Sequence, residues 1–290
     1  MNIIVSIPAY NESKTIGNVI RDIKKYMKNY DYKILVVDDG SNDNTKGIAK
    51  KEGAIVFSHP INYGLAETFK TEIKKCLELK ADIIVHTDAD GQYPAKFIPS
   101  LIREIEQGYD LVLGSRFKGH IECMPFIKKL GNKAFSRVIS NITRVKISDA
   151  QTGFRAFKKE VAENINIISN FTYTQEQIIK AVRQKYRIKE IPIDTFKTRK
   201  SKLMKNPFDF AVRAGTNLIR IYRDYEPIKF FSSIGLTLSL IGILIGIYLV
   251  YNFLSTGIVG HIPLTIAATL FILTGIQIIL FGFLADMQRK

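Results

Sequence analysis

No tryptophan occurs in this chain, cysteine occurs only twice, and residues 230–285 contain no Lys, Arg, Asp or Glu. Cys76 and Cys123 stand far apart without metal-ligand spacing, so no cysteine-built metal site is encoded and both are expected to be reduced thiols. His59, His86, His120 and His261 are scattered and also lack metal spacing. The opening "MNIIVSIPAYNES" has neither a basic n-region nor a long apolar h-region, so it is not read as a signal peptide. Repeats and low-complexity tracts are missing too.

The charge-free stretch holds two windows, residues 230–252 and 262–285, each long enough to cross a bilayer. "LSTGIVGHIP" separates them and reads as the turn of a helical hairpin. Two buried core helices are the alternative, but core helices of this length usually carry some charge. Arg220, Arg223 and Lys229 precede the first window, Arg289 and Lys290 follow the second, and the connecting loop has no Lys or Arg. The positive-inside rule then places both termini and the first 228 residues in the cytoplasm of a multi-pass membrane protein. Acid is scarce as well. The chain carries +15, and only Lys229, Asp286, Arg289 and Lys290 of its charged residues lie beyond residue 228, so the first 228 carry +13. That excess suits an anionic membrane surface or phosphate-bearing ligands, and a membrane anchor argues against nucleic acid. Oligomeric state is not encoded in any legible way.

Before residue 120, short apolar runs alternate with amphipathic ones. "NIIVSI", "YKILVV", "AIVFS", "DIIVHT" and "DLVLGSR" read as strands, with helices between them. Pro94 is placed in the first turn of a helix beginning "PAKFIPSL". This alternation predicts an α/β three-layer sandwich around a mostly parallel sheet. Further on, "FIKKLGNKAFSRVISNIT" and "YTQEQIIKAVRQK" read as helices and "YRIKEIPI" as a strand. Residues 206–228 carry apolar residues at helical spacing among arginines, the pattern of an interfacial helix or of an ordinary packed surface helix. The predicted organisation is a domain over residues 1–205, the interfacial helix 206–228, and a transmembrane hairpin over 229–286.

In parallel α/β sheets, ligands gather beyond the carboxyl ends of the strands. Here "PAYNES", "DDGSNDNT", "HPINYG", "DADGQYP" and "GSR" all fall at such ends. Asp88 and Asp90 have the spacing to put two carboxylates on one side of a tight turn, and hard cations such as Mg²⁺ or Mn²⁺ prefer carboxylate oxygens. Gln92 adds an amide oxygen nearby. Taken alone, Asp-x-Asp equally fits a surface turn. Asp38 and Asp39 equally fit turn residues, Glu12 an acid complementing a helix dipole, and Arg116 a partner for a structural carboxylate. Lys128 and Lys129 also fit a solvated face. Glu176 is either a helix-surface acid or a site residue, and His86, just before the acid pair, is a candidate neighbour of a bound donor. Cys76 reads as core, and Tyr173 is left without a position.

Together, "IPAYNE", "VVDDGSNDNT", "DADGQYP" and "GSR" resemble family 2 glycosyltransferases of the GT-A fold. "SDAQTGFRAF" and the C-terminal hairpin narrow the resemblance to the dolichol-phosphate mannose synthase-like group, over residues 3–225 and more loosely beyond. The resemblance implies a nucleoside pocket at Pro8, Ala9, Tyr10 and Glu12, with Asp38 and Asp39 near base and ribose. It implies Asp88, Asp90 and Gln92 at the metal and diphosphate, with Mg²⁺ or Mn²⁺ as cofactor. Arg116 would grip an acceptor phosphate, joined by Lys128 and Lys129, a looser match. Asp149, Gln151 and Arg155 would lie near sugar and acceptor, with Arg155 among the acceptor contacts. Arg199 and Lys202 would close over the donor diphosphate. Asp90, Arg116 and Asp149 are the implied catalytic residues.

The reaction so implied is inverting hexose transfer from a nucleotide sugar to polyprenyl (dolichyl) phosphate. Mannose from GDP-mannose leads, with UDP-glucose and UDP-N-acetylglucosamine close behind. Two other readings stand beside it: a family 2 transferase acting on a glycan acceptor, and a non-catalytic membrane scaffold. Processive family members usually carry Q-x-x-R-W, which a chain without tryptophan cannot supply.

Overall fold

The computed structural model describes residues 1–167, 173–196, 215–216, 219–258 and 262–288. The chain divides into two compact units, Met1–Pro207 and Phe208–Lys290. The first begins with β1 (Ile3–Ala9), α1 (Ile16–Tyr26), β2 (Tyr32–Asp38), α2 (Thr45–Lys51) and β3 (Ile55–Ser58). It continues with α3 (Leu65–Glu78), β4 (Ile83–His86), α4 (Ile98–Glu106), β5 (Leu111–Ser115) and α5 (Phe126–Thr143). β6 (Arg155–Lys158), α6 (Lys159–Asn164), α7 (Thr174–Arg183) and β7 (Ile188–Pro192) follow.

The seven strands form one sheet in the order β3-β2-β1-β4-β6-β5-β7, parallel except for β6. β1 is buried on both faces because helices cover both, which is why it reads as a continuous apolar run. Ile3, Val5 and Ile7 join α1 residues Ile16, Ile20 and Ile23 and α4 residues Ile98, Leu101, Ile102 and Ile105 in the main core. The intervening Ser6 faces the other way and meets Glu72 of α3. The expected three-layer α/β sandwich is thus present.

Two local expectations differ. Pro94 does not open an α-helix: it caps one turn of 3₁₀-helix over Ala95–Phe97, and α4 starts at Ile98 with Pro99 in its first turn. β6 was not anticipated. Its four residues, "RAFK", carry a cation at each end, and only its neighbours β4 and β5 make a strand of them. Being antiparallel, β6 starts where β4 ends, with Arg155 paired to His86.

In the second unit, residues 215–216 and 219–225 are helical, and residues 206–214 and 217–218 of the interfacial helix expected over 206–228 lie outside the described residues. Helices α8 (Pro227–Thr256) and α9 (Ile262–Met287) each have a mean hydropathy of 2.3. Their lengths of roughly 45 and 39 Å exceed the ~30 Å hydrocarbon core of a bilayer. They pack against each other through small residues. A Cβ on Gly275 would lie 2.6 Å from the carbonyl oxygen of Gly235, and one on Gly242 would lie 2.8 Å from that of Ala268. Without a hydrophobic drive between helices in lipid, such close backbone contact is what associates them.

Candidate active site

The ends of β1, β2, β4 and β5 and the start of β6 share one edge of the sheet. Pro8 and Ala9 end β1, and the Asp39 amide donates to the Ala9 carbonyl at 2.8 Å, which ties the first two motifs together. Tyr10 is exposed, whereas Glu12 is buried. The Glu12 carboxylate accepts from Thr15 Oγ1 at 3.0 Å, and its amide donates to Thr45 Oγ1 at 2.8 Å, so it joins the starts of α1 and α2. Asp39, which the resemblance sets near base and ribose, also anchors a neighbouring loop. Its carboxylate accepts the amides of Tyr63 and Gly64, both at 2.9 Å, and lies 2.8 Å from His59 Nδ1. It organises the 59–64 loop. Asp38 accepts a 3.4 Å contact from the Ser41 amide and, among the described residues, is the less committed acid of the two.

Asp88 and Asp90 follow β4. Asp90 Oδ1 accepts the Gln92 amide at 3.0 Å, which closes the turn. The Asp88 side chain is 34% exposed and approaches His86 Nε2 at 4.0 Å. Packing around it pushes the Asp88 carboxyl up to about 6. The charges of Asp90 and Glu72 add to that rise, and His86 and Arg116 oppose it. A Cβ on Gly153 would lie 3.0 Å from Asp88 Oδ1, so a larger residue there would press on the Asp88 carboxylate. The Tyr93 hydroxyl accepts the Gly153 amide at 3.3 Å, and its ring stacks on Phe154. Neither Tyr93 nor Gly153 stood out in the sequence, although both lie inside recognised motifs.

Arg116 and Asp149 form a buried bidentate pair. Nε and Nη2 donate to the two carboxylate oxygens at 2.7 and 2.8 Å, and the Arg116 amide adds a 3.1 Å bond. Leaving one partner of such a pair unmatched costs about 3–5 kcal/mol. Arg116 is thus the partner of a buried carboxylate, and Asp149 takes two of its five side-chain N–H donors. Glu190 of β7 holds the Asp149 loop by accepting the Ser148 and Asp149 amides at 2.9 and 3.0 Å. The structure separates the two lysines. Lys129 is exposed. Lys128 is half-buried and interacts electrostatically with Arg116, Asp90 and Asp88, and burial first, then Arg116, lowers its ammonium from the usual lysine range.

Arg155, which the resemblance sets among the acceptor contacts, is fully buried, and Nη1 donates to Gln177 Oε1 at 2.8 Å and to the Thr174 carbonyl at 3.2 Å, while Nη2 donates to the Thr152 carbonyl. Its position in the β6 ladder turns the side chain into the protein. It belongs to a polar row across three strands, in which Ser6 pairs with His86 and His86 with Arg155. Glu72 Oε2 accepts from Ser6 Oγ at 2.7 Å and lies 2.8 Å from His86 Nδ1, and Tyr173 Oη lies 2.6 Å from His86 Nε2. Burial holds the Tyr173 hydroxyl well above its usual range. The row explains His86 and places Tyr173, which also stacks on Phe69 with ring centroids 3.8 Å apart. Glu72 carried no sequence signal, because only strand register reveals the row. Glu176 is buried and pairs with Lys180 one turn on. Arg199, Lys202 and His261 lie outside the described residues, and Gln151 is half-buried beside Asp149 in sequence.

The donor set fits a hard divalent ion that completes its shell from a ligand. Among the described residues no group of three or more His, Cys, Asp or Glu forms a metal cage. Mg²⁺ and Mn²⁺ do not require one, since one or two carboxylates and substrate phosphates suffice. Asp88 and Asp90 supply such oxygens.

Polar motifs gather at one carboxyl edge of a largely parallel sheet with one antiparallel insertion, the place where α/β folds bind ligands. The family model for glycosyl transferase family 2 matches residues 4–165, and the chain belongs to that family. It is 33% identical to the UDP-N-acetylglucosamine–dolichyl-phosphate N-acetylglucosaminyltransferase of Methanococcus voltae, over 73% of this chain and 89% of that protein. It is 32% identical to the dolichol-phosphate mannosyltransferase of Pyrococcus furiosus, over 94% of this chain and 78% of that one. Among solved structures it resembles glucosyl-3-phosphoglycerate synthase from Mycobacterium tuberculosis, in complex with Mn²⁺, UDP and phosphoglyceric acid. There the TM-score is 0.61 at 19% identity, covering 76% of this chain and 77% of that one.

Proposed function

We propose that this glycosyltransferase moves a hexose from a nucleotide sugar to a polyprenyl phosphate of the dolichyl type. The observation that carries the reading is the meeting of an acid pair, Asp88 and Asp90, with two cations, Arg116 and Lys128, at one sheet edge. An acid pair suits a metal-bound diphosphate, and adjacent cations suit a second phosphate. The two dolichyl-phosphate relatives support that acceptor, and the two apolar helices would keep the chain where such a lipid resides. The sugar is mannose from GDP-mannose in the leading form of the proposal, with UDP-glucose and UDP-N-acetylglucosamine as the other donors.

A Mg²⁺ or Mn²⁺ ion bound by Asp88 and Asp90, with Gln92 beside them, would neutralise the departing nucleoside diphosphate. Pro8, Ala9, Tyr10, Glu12 and Asp38 frame the nucleoside side of the edge. Asp149 holds the Arg116 guanidinium rigid, so its remaining N–H groups orient an acceptor phosphate without reorganisation. Lys128, with its ammonium lowered by burial, gains when an anion arrives. A phosphate oxygen is already anionic near neutral pH, so attack on the anomeric carbon needs no general base. One in-line displacement inverts that carbon. Both termini face the cytoplasm in this reading.

Membranes containing the chain, given a panel of radiolabelled nucleotide sugars, should place label from one donor in the lipid fraction, with inverted configuration. Asp90→Ala should reduce that transfer by about 10²-fold or more. Retained configuration would refute the single displacement, and undiminished transfer by the variant would remove the metal assignment.

A further inference from the structure

We propose that the outer face of α5 is a docking surface for an anionic lipid bilayer. The proposal rests on the reading that α8 and α9 cross that bilayer. The first turn of α5 exposes Phe126 at 77%, Ile127 at 50% and Leu130 at 60%. Scattered exposed apolar residues are ordinary, but three on one turn form a patch that water disfavours. The helix is not loosely held. Asn132, Phe135, Ser136 and Ile139 are buried on its opposite side, which fixes the exposed face. Lys129, Lys133 and Arg137 are exposed along that face, and α5 contains no acidic residue. Glu122, four positions before the helix, is the nearest acid in sequence. Apolar anchors flanked by cations are the composition of a helix lying at a membrane surface.

Charge selects the occupant. A second copy docking through the same face would set Lys129, Lys133 and Arg137 against their own equivalents. A leaflet of anionic lipids offers the complementary sign, and its acyl boundary accepts Phe126, Ile127 and Leu130. Lys128, on the inner side of this same turn, belongs to the cluster with Asp88, Asp90 and Arg116. One turn of helix thus faces the proposed reaction centre on one side and the lipid surface on the other.

Cys123, exposed and three residues before Phe126, provides a native reporter, because Cys76 is buried. The full-length chain, labelled there with a nitroxide, would be reconstituted in vesicles of phosphatidylglycerol and phosphatidylcholine without nucleotide sugar. Collisions with a water-soluble nickel chelate should fall roughly threefold relative to phosphatidylcholine alone, as expected for a probe entering a charged interface. The combined Phe126→Ser, Ile127→Ser and Leu130→Ser variant should regain chelate access, and Cys123→Ser should abolish the signal. A membrane-retained chain whose label stays fully accessible would overturn the proposal. So would protection unaffected by the serine variant, or dipolar broadening that reveals a second copy on the face. If alkaline carbonate extracts the chain, the spanning reading fails and takes the docking proposal with it. The measurement needs no turnover, so loss of the proposed transferase activity would leave it standing.

Discussion

Asp88 holds its proton more tightly in the folded chain than in the unfolded one, because its carboxyl is raised from 3.8 to about 6. Its contribution to stability is therefore greatest in acid and declines as pH climbs through about 4 to 6. A divalent ion competes for the same oxygens. Apparent Mn²⁺ affinity, measured by calorimetry on the purified chain, should weaken as pH drops from about 7.5 to about 5.5. Asp88→Asn should lose that dependence, and a flat profile in the parent chain would exclude Asp88 as the competing ligand. At this scale the sequence was only partly informative. Asp88, Asp90, Arg116 and Asp149 were legible because local motifs carry them. The bonds of Asp39 to the 59–64 loop were not legible, because they run to amides more than twenty positions away. The burial of Arg155 was not legible, because its direction follows from strand register, and register is not a local property.

At the scale of elements, parallel strands were easy to read because burial on both faces writes continuous apolar runs. β6 was hidden, since four residues with charged ends are a strand only between the neighbours that pair with them. The hairpin helices were legible as windows, but their contact surface was not drawn from the sequence. Gly235, Gly242, Ala268, Gly275 and Gly282 form it. Gly275→Leu would drive a branched side chain into the Gly235 backbone and should lower the thermal midpoint in detergent by roughly 5 °C. Gly246 meets nothing within 4 Å at its would-be Cβ. Gly246→Leu should therefore leave the midpoint unchanged, and equal effects of the two changes would refute close glycine packing as the cause.

For the whole molecule, charge and hydropathy decide the setting. A cation excess over the first 228 residues and an uncharged hairpin after them predict that both ends of the chain lie on the same side. A C-terminal epitope tag in sealed vesicles should be digested only when the cytoplasmic surface is open to protease. Protection there, with cleavage from the opposite face, would invert the topology. The antiparallel insertion bears on how the chain is made. Ile83 pairs with Lys158 and His86 with Arg155, so β4 lacks its outer neighbour until about seventy further residues have been synthesised. Until then the strand that presents the acid pair is an open edge, able to pair with a wrong partner. The strand that presents the acid pair is thus secured only after β6 has been made, and well before the apolar hairpin emerges.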